Sequence, residues 1–150
     1  MELDELYQEI ILDHYSKPRN YGACSEPTYR SHGENPACGD EIDLQVRVDH
    51  GKVASEVKFT GQGCAISQAS ASMMAQKMQG MTFEEIEKLM QAFHGMILSE
   101  GELSAETKTA LGNLLAFQGV RNFPERVKCA TLAWSAMRQI VSSLLKPPLD

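Results

Sequence analysis

The chain has 150 residues, of which 43% are hydrophobic and 23% are charged, and its formal net charge at pH 7 is −6. An acidic chain without a basic face is unsuited to nucleic acid, and no apolar run approaches the roughly 20 residues that cross a bilayer. The acidic N-terminus also lacks the basic start of a signal peptide, so the sequence predicts a single cytoplasmic domain over residues 1–150.

The first half of the chain is predicted to form one helix and three strands. Apolar residues recur at helical spacing over 3–15, and strict alternation over 41–48 predicts a strand with one buried face. In chain order we expect a helix over 3–15 ended by Lys17-Pro18, a short strand around 28–32, a strand over 41–48, a DHGK hairpin turn, and a returning strand over 53–60. The buried side of the returning strand is expected to carry Val53, Val57 and Phe59.

The second half of the chain predicts helices only. Thr82 and Glu85 have the spacing of a capping box, and Gly80 is placed to end the helix before them. In chain order we expect a helix over 64–79, a helix opened by Thr82, a helix capped by Ser104 that runs to Gly119, and a last helix from Pro124 to about Leu145. Strands followed by helices indicate an α+β fold, a small antiparallel β-sheet with several helices packed on one face.

Four widely spaced cysteines are the chemically distinctive residues of the chain. In a reducing compartment they suggest metal or sulfur chemistry, or simply burial. Cys38 lies beside Asp40 in a Gly- and Pro-rich turn, whereas Cys64 begins a helix, where backbone N–H groups favour a thiolate. Cys129 is expected on the inward side of the last helix. If these sites converge, three thiolates and one carboxylate suit tetrahedral zinc or a thiolate-bound iron–sulfur cluster.

Cys24 and the basic residues near Cys129 are not expected to be ligands. Cys24 is expected to be a buried or half-buried free thiol outside any shared site. Arg121, Arg126 and Lys128 lie close to the last cysteine in sequence, and we expect them to stabilise its thiolate or to rim a surface where a partner docks. His32 lies near the first motif and receives no role.

Three stretches around the cysteines, NPACGDEIDL, GQGCAISQASAS and RVKCATLAW, resemble the cysteine motifs of the IscU-type iron–sulfur cluster assembly proteins. The resemblance runs from the N-terminal helix to about Ser143. Within that family the chain is most similar to the SufU-type branch. Lys128 stands where the classical scaffold has a histidine, an extra segment lengthens the connection between the second and third motifs, and the chaperone-recognition element LPPVK is missing.

The resemblance implies a function and a set of site residues. It implies a metal site at one end of the domain, in which Cys38, Asp40, Cys64 and Cys129 bind Zn²⁺. It further implies that Cys38 is the catalytic thiol, which accepts persulfide sulfur from a cysteine desulfurase and delivers it to a downstream iron–sulfur scaffold or acceptor protein. As the hard and weakest ligand, Asp40 is expected to be displaceable, and Gly39 is expected to let the neighbouring cysteine swing.

Two alternatives stay open at this point. The same four residues suit a scaffold on which a [2Fe–2S] cluster is assembled. They also suit a non-catalytic module in which a structural zinc ion only holds the sheet against its helices. Metal content separates the first alternative from sulfur transfer, and desulfurase stimulation separates the second.

Overall fold

The structure is a computed structural model that describes residues 8–49, 52–98 and 101–145. In chain order these residues form α1 (Glu9–Ser16), β1 (Tyr29–Asn35), β2 (Asp40–Asp49), β3 (Val53–Gln62), α2 (Ala65–Met78), α3 (Phe83–Leu98), α4 (Ala105–Leu111), a 3₁₀ helix (Gly112–Asn122) and α5 (Pro124–Leu145). The strands form one antiparallel sheet in the order β1-β2-β3, with α2 and α5 against it, so the predicted α+β architecture is confirmed. None of the helices within the described ranges has the length and apolar character needed to span a bilayer.

Side-chain alternation along β2 determines which residues face the helices. Ile42, Leu44 and Val46 are at most 1% exposed, as the alternating pattern predicts. Because side chains two apart lie on the same face of a strand, Asp40 continues this buried row, and it is only 1% exposed. A carboxylate thus occupies the last inward-facing position at one end of the sheet.

The returning strand differs from the sequence prediction at its start. Val57 is fully buried as predicted, but Ala54 is buried where Val53 was expected. A register shift lies between Arg47 and Val48 on the neighbouring strand. Since such a shift changes which face the following residues occupy, the inward row moves by one position at this end of β3.

The predicted start of α3 and end of α2 are confirmed. The Thr82 N–H donates to Glu85 Oε1 at 2.9 Å, and the Glu85 N–H donates to Thr82 Oγ1 at 3.2 Å, which is the reciprocal pattern of a capping box. Gly80 adopts a φ of +92° just after α2, where a residue with a side chain would be strained.

The helix predicted from Ser104 to Gly119 is wrong in its second half. Ser104 does cap the helix as predicted. The α-helix ends at Leu111, however, because Gly112 adopts a φ of +53° that no α-helical residue has. The chain then continues as the 3₁₀ helix, whose tighter turns change the direction of the helical faces.

Helix α5 packs along β1 through three successive contacts. From the start of the strand to its end, the contacting pairs are Ser31 with Gln139, Gly33 with Leu132, and Asn35 with Cys129. At the middle contact the helix lies close to the strand, since a Cβ on Gly33 would be 3.0 Å from Leu132 Cδ1. These contacts bring the first part of α5, with Cys129, to the end of the sheet where β2 begins.

A buried hydrogen-bond network joins α2 to α5 near the same end. Ser70 Oγ accepts from Trp134 Nε1 at 2.9 Å and donates to the Ala130 carbonyl at 2.6 Å. The indole ring of Trp134 also stacks on Phe93, with ring centroids 3.9 Å apart. Because the polar groups are satisfied and the ring is fully packed, this network holds the two helices in one alignment.

Parts of the sequence prediction lie outside the described residues. These are residues 3–7 of the N-terminal helix, His50 in the hairpin turn, and residues 146–150. The described part of that helix ends at Ser16, just before Lys17-Pro18, as predicted.

Candidate metal centre

The turn between β1 and β2 presents the first cysteine. Asn35 and Asp40 face each other as the last pair of the two strands. Between them the Cys38 N–H donates to the Asn35 carbonyl at 3.1 Å, and the Gly39 N–H donates to the Pro36 carbonyl at 3.3 Å. Gly39 has a φ of +70°, which favours glycine at this position. The turn therefore leaves Cys38 partly exposed while the neighbouring carboxylate faces the core.

The start of α2 presents the second cysteine and holds the carboxylate. Cys64 is the residue that caps the helix, and its Sγ accepts from the Ser67 N–H at 3.4 Å. The Cys64 N–H donates to Asp40 Oδ1 at 2.8 Å. Gly63, with a φ of +144°, permits this approach because a Cβ there would overlap the carboxylate. The Asp40 side chain is thus seated on a helix N-terminus, where the backbone favours negative charge.

The four predicted site residues lie together at this end of the sheet. The ligand atoms of Cys38, Asp40 and Cys129 are all within 4.8 Å of one another. The sulfurs of Cys38 and Cys129 are 3.5 Å apart, and Cys64 Sγ lies 3.8 Å from Asp40 Oδ2. Cys129 and Asp40 are buried, whereas the other two thiols are partly exposed. One strand end, one turn and two helices therefore supply a single constellation.

Burial governs the chemistry of the innermost thiol. The pKa of Cys129 is raised, chiefly by burial, and further by side-chain hydrogen bonding with Asp40 and Cys38. The loss of water and the adjacent carboxylate therefore favour the neutral thiol while no cation is bound. The expectation that Arg126 and Lys128 stabilise the thiolate of Cys129 stays a prediction.

The donor set fits a divalent zinc ion. Zinc takes thiolate ligands at about 2.3 Å and carboxylate oxygens at about 2.1 Å, usually four in a tetrahedron. Binding a cation releases the thiol protons, and its charge offsets the crowding of sulfur and carboxylate that raises the pKa of Cys129. Thiolates at this spacing also suit an iron–sulfur cluster as cargo.

Arg121, one of the three residues of the predicted basic cluster, contacts the end of α3. Its guanidinium donates to the Met96 carbonyl at 2.8 Å and to the Gly101 carbonyl at 3.3 Å. These contacts place its charge at the C-terminal end of α3, where carbonyl groups attract cations. Lys128 is exposed one residue before Cys129 and remains a candidate for contact with a partner.

The remaining thiol and the nearest histidine lie outside the constellation. Cys24 is 7% exposed, and its Sγ donates to the Gln45 carbonyl at 3.3 Å, so the prediction of a buried free thiol is confirmed. His32 lies on the outward face of the sheet, where Nδ1 contacts Asp43 at 2.7 Å and Nε2 contacts Glu34 at 3.2 Å. The side chains of His32, Glu34 and Asp43 are all exposed, and both carboxylates are already paired with the imidazole.

Sequence reasoning missed one polar residue of the site. Asn35 is 6% exposed, and its Nδ2 lies 3.4 Å from Asp40 Oδ2 and 3.6 Å from Cys129 Sγ. The available signal was its place in the NPACGD stretch, where it pairs with Asp40 across a short turn. Its contact with Cys129 joins residues 94 positions apart and has no local signal.

Comparison with known proteins identifies the family of the chain. Residues 6–130 match the family described as NifU-like N terminal domain. The chain is 40% identical over 140 residues to the zinc-dependent sulfurtransferase SufU of Bacillus subtilis (strain 168), covering 93% of this chain and 92% of that protein. It is 38% identical over 142 residues to the iron-sulfur cluster assembly scaffold protein IscU of Thermotoga maritima, covering 95% of this chain and 96% of that protein.

Solved structures support the same fold. The crystal structure of the SUF-system protein FiSufU from Fervidobacterium islandicum AW-1 matches with a TM-score of 0.82 at 34% identity, over 91% of this chain and 96% of that chain. A NifU-like N-terminal structure from Brucella abortus also matches with a TM-score of 0.82, over 96% of this chain and 97% of that chain. Its identity of 21% supports the fold alone.

Proposed function

This chain belongs to the NifU-like N-terminal domain family, and from that premise we propose that it is a zinc-binding sulfur acceptor in iron–sulfur cluster assembly. The observation that carries the proposal is the contrast within the constellation. Asp40, Cys64 and Cys129 are held by a strand end and two helices, whereas Cys38 lies in a turn and is partly exposed. A partly exposed thiol on a turn, beside ligands held by a strand and two helices, suits sulfur transfer better than a permanent structural role.

Each residue has a separate part in this proposal. Together the four side chains would hold Zn²⁺, which keeps thiols deprotonated at neutral pH and has no redox chemistry of its own. Asp40 is anchored through Oδ1 to the start of α2, so its carboxylate is oriented rather than free. We therefore infer that Cys38 is the side chain that moves toward a partner, as the sequence led us to expect from Gly39, whereas the displacement of Asp40 as a ligand stays a prediction.

The transfer step follows from thiolate chemistry. The Cys38 thiolate attacks the outer sulfur of a persulfide on a cysteine desulfurase. A new S–S bond forms to Cys38, the S–S bond of the desulfurase persulfide breaks, and the desulfurase thiolate leaves with the electron pair. The proton of the outer sulfur stays with it, so the exchange needs no added oxidant or reductant. The persulfide would then pass to a downstream iron–sulfur scaffold or acceptor protein.

The named relatives support sulfur transfer and also suggest a scaffold role as a second candidate function. The Bacillus relative carries sulfur transfer and zinc in its name, at 40% identity. The Thermotoga relative is named a scaffold, and three thiols with one carboxylate also suit a nascent cluster. The scaffold is therefore the second candidate, and the protein as purified distinguishes the two.

Metal content and sulfur labelling test the proposal. Protein purified under reducing conditions should be colourless and hold stoichiometric zinc. Cys38→Ala, Cys64→Ala and Cys129→Ala should each lose most of it and melt at a lower temperature, because metal binding is coupled to folding. Cys24→Ala is the matched control, since it also removes a buried thiol, and it should retain zinc. Incubation with a cysteine desulfurase and cysteine should place a persulfide on Cys38, detected by mass spectrometry of the peptide.

Three results would contradict the proposal. A brown protein with iron and sulfide would favour the scaffold. Zinc without any persulfide on Cys38, and without stimulation of the desulfurase, would leave only a structural zinc module. Full zinc retention in Cys64→Ala or Cys129→Ala would show that the four residues do not form one site.

A further inference from the structure

Asn35 is the residue that touches most of the candidate metal centre without supplying a ligand. Its side-chain amide lies 3.4 Å from Asp40 Oδ2 and 3.6 Å from Cys129 Sγ. Its backbone carbonyl accepts from the Cys38 N–H at 3.1 Å. One residue thus contacts three of the four predicted ligands, and the fourth, Cys64, is joined to the same group through the Asp40 carboxylate.

The chemistry of the neighbours determines how the amide is oriented. When the site holds a cation, both Asp40 and Cys129 are anionic and can only accept hydrogen bonds. The amide NH₂ must then face them, because its carbonyl oxygen would repel both. Asn35 is 6% exposed, so water scarcely reaches its amide. These contacts supply the hydrogen bonds that water would otherwise make.

From this geometry we propose that Asn35 is a positioning residue that fixes Asp40 and Cys129 as neighbouring ligands. The inference rests on the proposed function. Amide donors to metal-bound thiolates and carboxylates orient these ligands and tune the metal. Asn35 therefore holds the two inner ligands in place while Cys38, on the adjoining turn, moves to receive sulfur.

A purely structural role is the alternative. Asn35 ends β1 just before Pro36 and lies against α5, so its amide could simply join the strand to the helix. The chain offers a control for that reading, because Ser31 on the same strand donates to Gln139 on the same helix at 2.8 Å. Ser31→Ala removes a contact between the same two elements and leaves the centre untouched.

Metal affinity and cobalt spectra test the proposal. Asn35→Leu keeps the size of the side chain and removes its donors, and zinc binding measured by chelator competition should weaken about 10–100-fold. With Co²⁺ in place of zinc, the thiolate-to-cobalt charge-transfer absorption should shift in Asn35→Leu and match the wild type in Ser31→Ala. A residue with only a structural role would lower the unfolding midpoint of the metal-free protein and leave the cobalt spectrum unchanged.

A second variant guards against misfolding of the first. Asn35→Ala also removes the amide donors, without placing a large apolar side chain beside the two ligands, so it should likewise bind zinc at least about 10-fold more weakly. Zinc affinity within about threefold of the wild type in either variant would overturn the proposal, as would an equal loss in Ser31→Ala. If the wild-type protein binds no zinc, the proposed function fails and this inference with it. If the wild type binds zinc and the Asn35 variants bind it equally well, only this inference fails.

Discussion

Gly63 offers the sharpest test of how the carboxylate is held. Gly63→Ala would add a Cβ that overlaps the Asp40 side chain and lies 2.8 Å from the Asp40 Cα, at a residue whose φ is +144°. The backbone conformation alone destabilises an alanine by about 1–3 kcal/mol. Displacing Asp40 also breaks the hydrogen bond from the Cys64 N–H, worth about 1.5–3 kcal/mol for a charged acceptor. We expect the free energy of unfolding to fall by about 2.5–6 kcal/mol.

Gly80→Ala is the matched control for backbone strain. Gly80 has a φ of +92°, and nothing lies within 4 Å of a Cβ built there. This variant should lose only the strain of about 1–3 kcal/mol and should keep the zinc affinity of the wild type. Gly63→Ala should in addition bind zinc about 10–100-fold more weakly, because the Asp40 carboxylate is displaced from its hydrogen bond with the Cys64 N–H.

Urea unfolding of the metal-free proteins and chelator competition for zinc measure the two effects. The measurements should be made in reducing buffer so that the thiols stay free. If the two variants lose the same free energy within about 0.5 kcal/mol and bind zinc equally, the close packing of Gly63 on Asp40 does not determine the position of the carboxylate.

Three further predictions concern packing, pH and partner docking. Ser70→Ala should lower the free energy of unfolding by about 1–3 kcal/mol in urea titrations, because it leaves the buried Trp134 N–H without an acceptor. A loss under about 0.5 kcal/mol would contradict this expectation. Burial lowers the pKa of His14, so the unfolded chain binds a proton that the folded chain does not, and the free energy of unfolding should fall as pH decreases below 6.5. Urea midpoints between about pH 5 and 7.5 should show a slope that His14→Gln reduces, and an unchanged slope would refute the assignment. Lys128→Glu should raise the concentration of this protein that half-saturates stimulation of the desulfurase, and should weaken the salt dependence of that concentration, while zinc stays bound. Glu9→Lys should change both quantities less. Equal half-saturating concentrations for the two variants would mean that charge does not govern docking.

The regular elements of the fold were predictable because their signals are local. Alternation along β2 depends only on residues two apart, and the capping box of Thr82 with Glu85 depends on residues within one helical turn. The errors lie where packing between elements competes with local preference. The register shift after Arg47 and the change to a 3₁₀ helix at Gly112 both alter a face that the local pattern assigned differently.

The candidate ligands were predictable as residue types, whereas their grouping was expected only from the family that the motifs resemble. The three cysteine motifs and Asp40 could be recognised from the sequence, together with the family that they resemble. The sequence alone determined the order of strands and helices, the buried row of β2 and the identity of these side chains, because each depends on neighbours along the chain. Only the tertiary structure decided that α5 follows β1 closely enough for Asn35 to reach Cys129, 94 positions away, and that Asp40 is anchored rather than free. Such contacts arise from the simultaneous packing of helices on one sheet, and the free energy that selects this packing is shared among many distant residues.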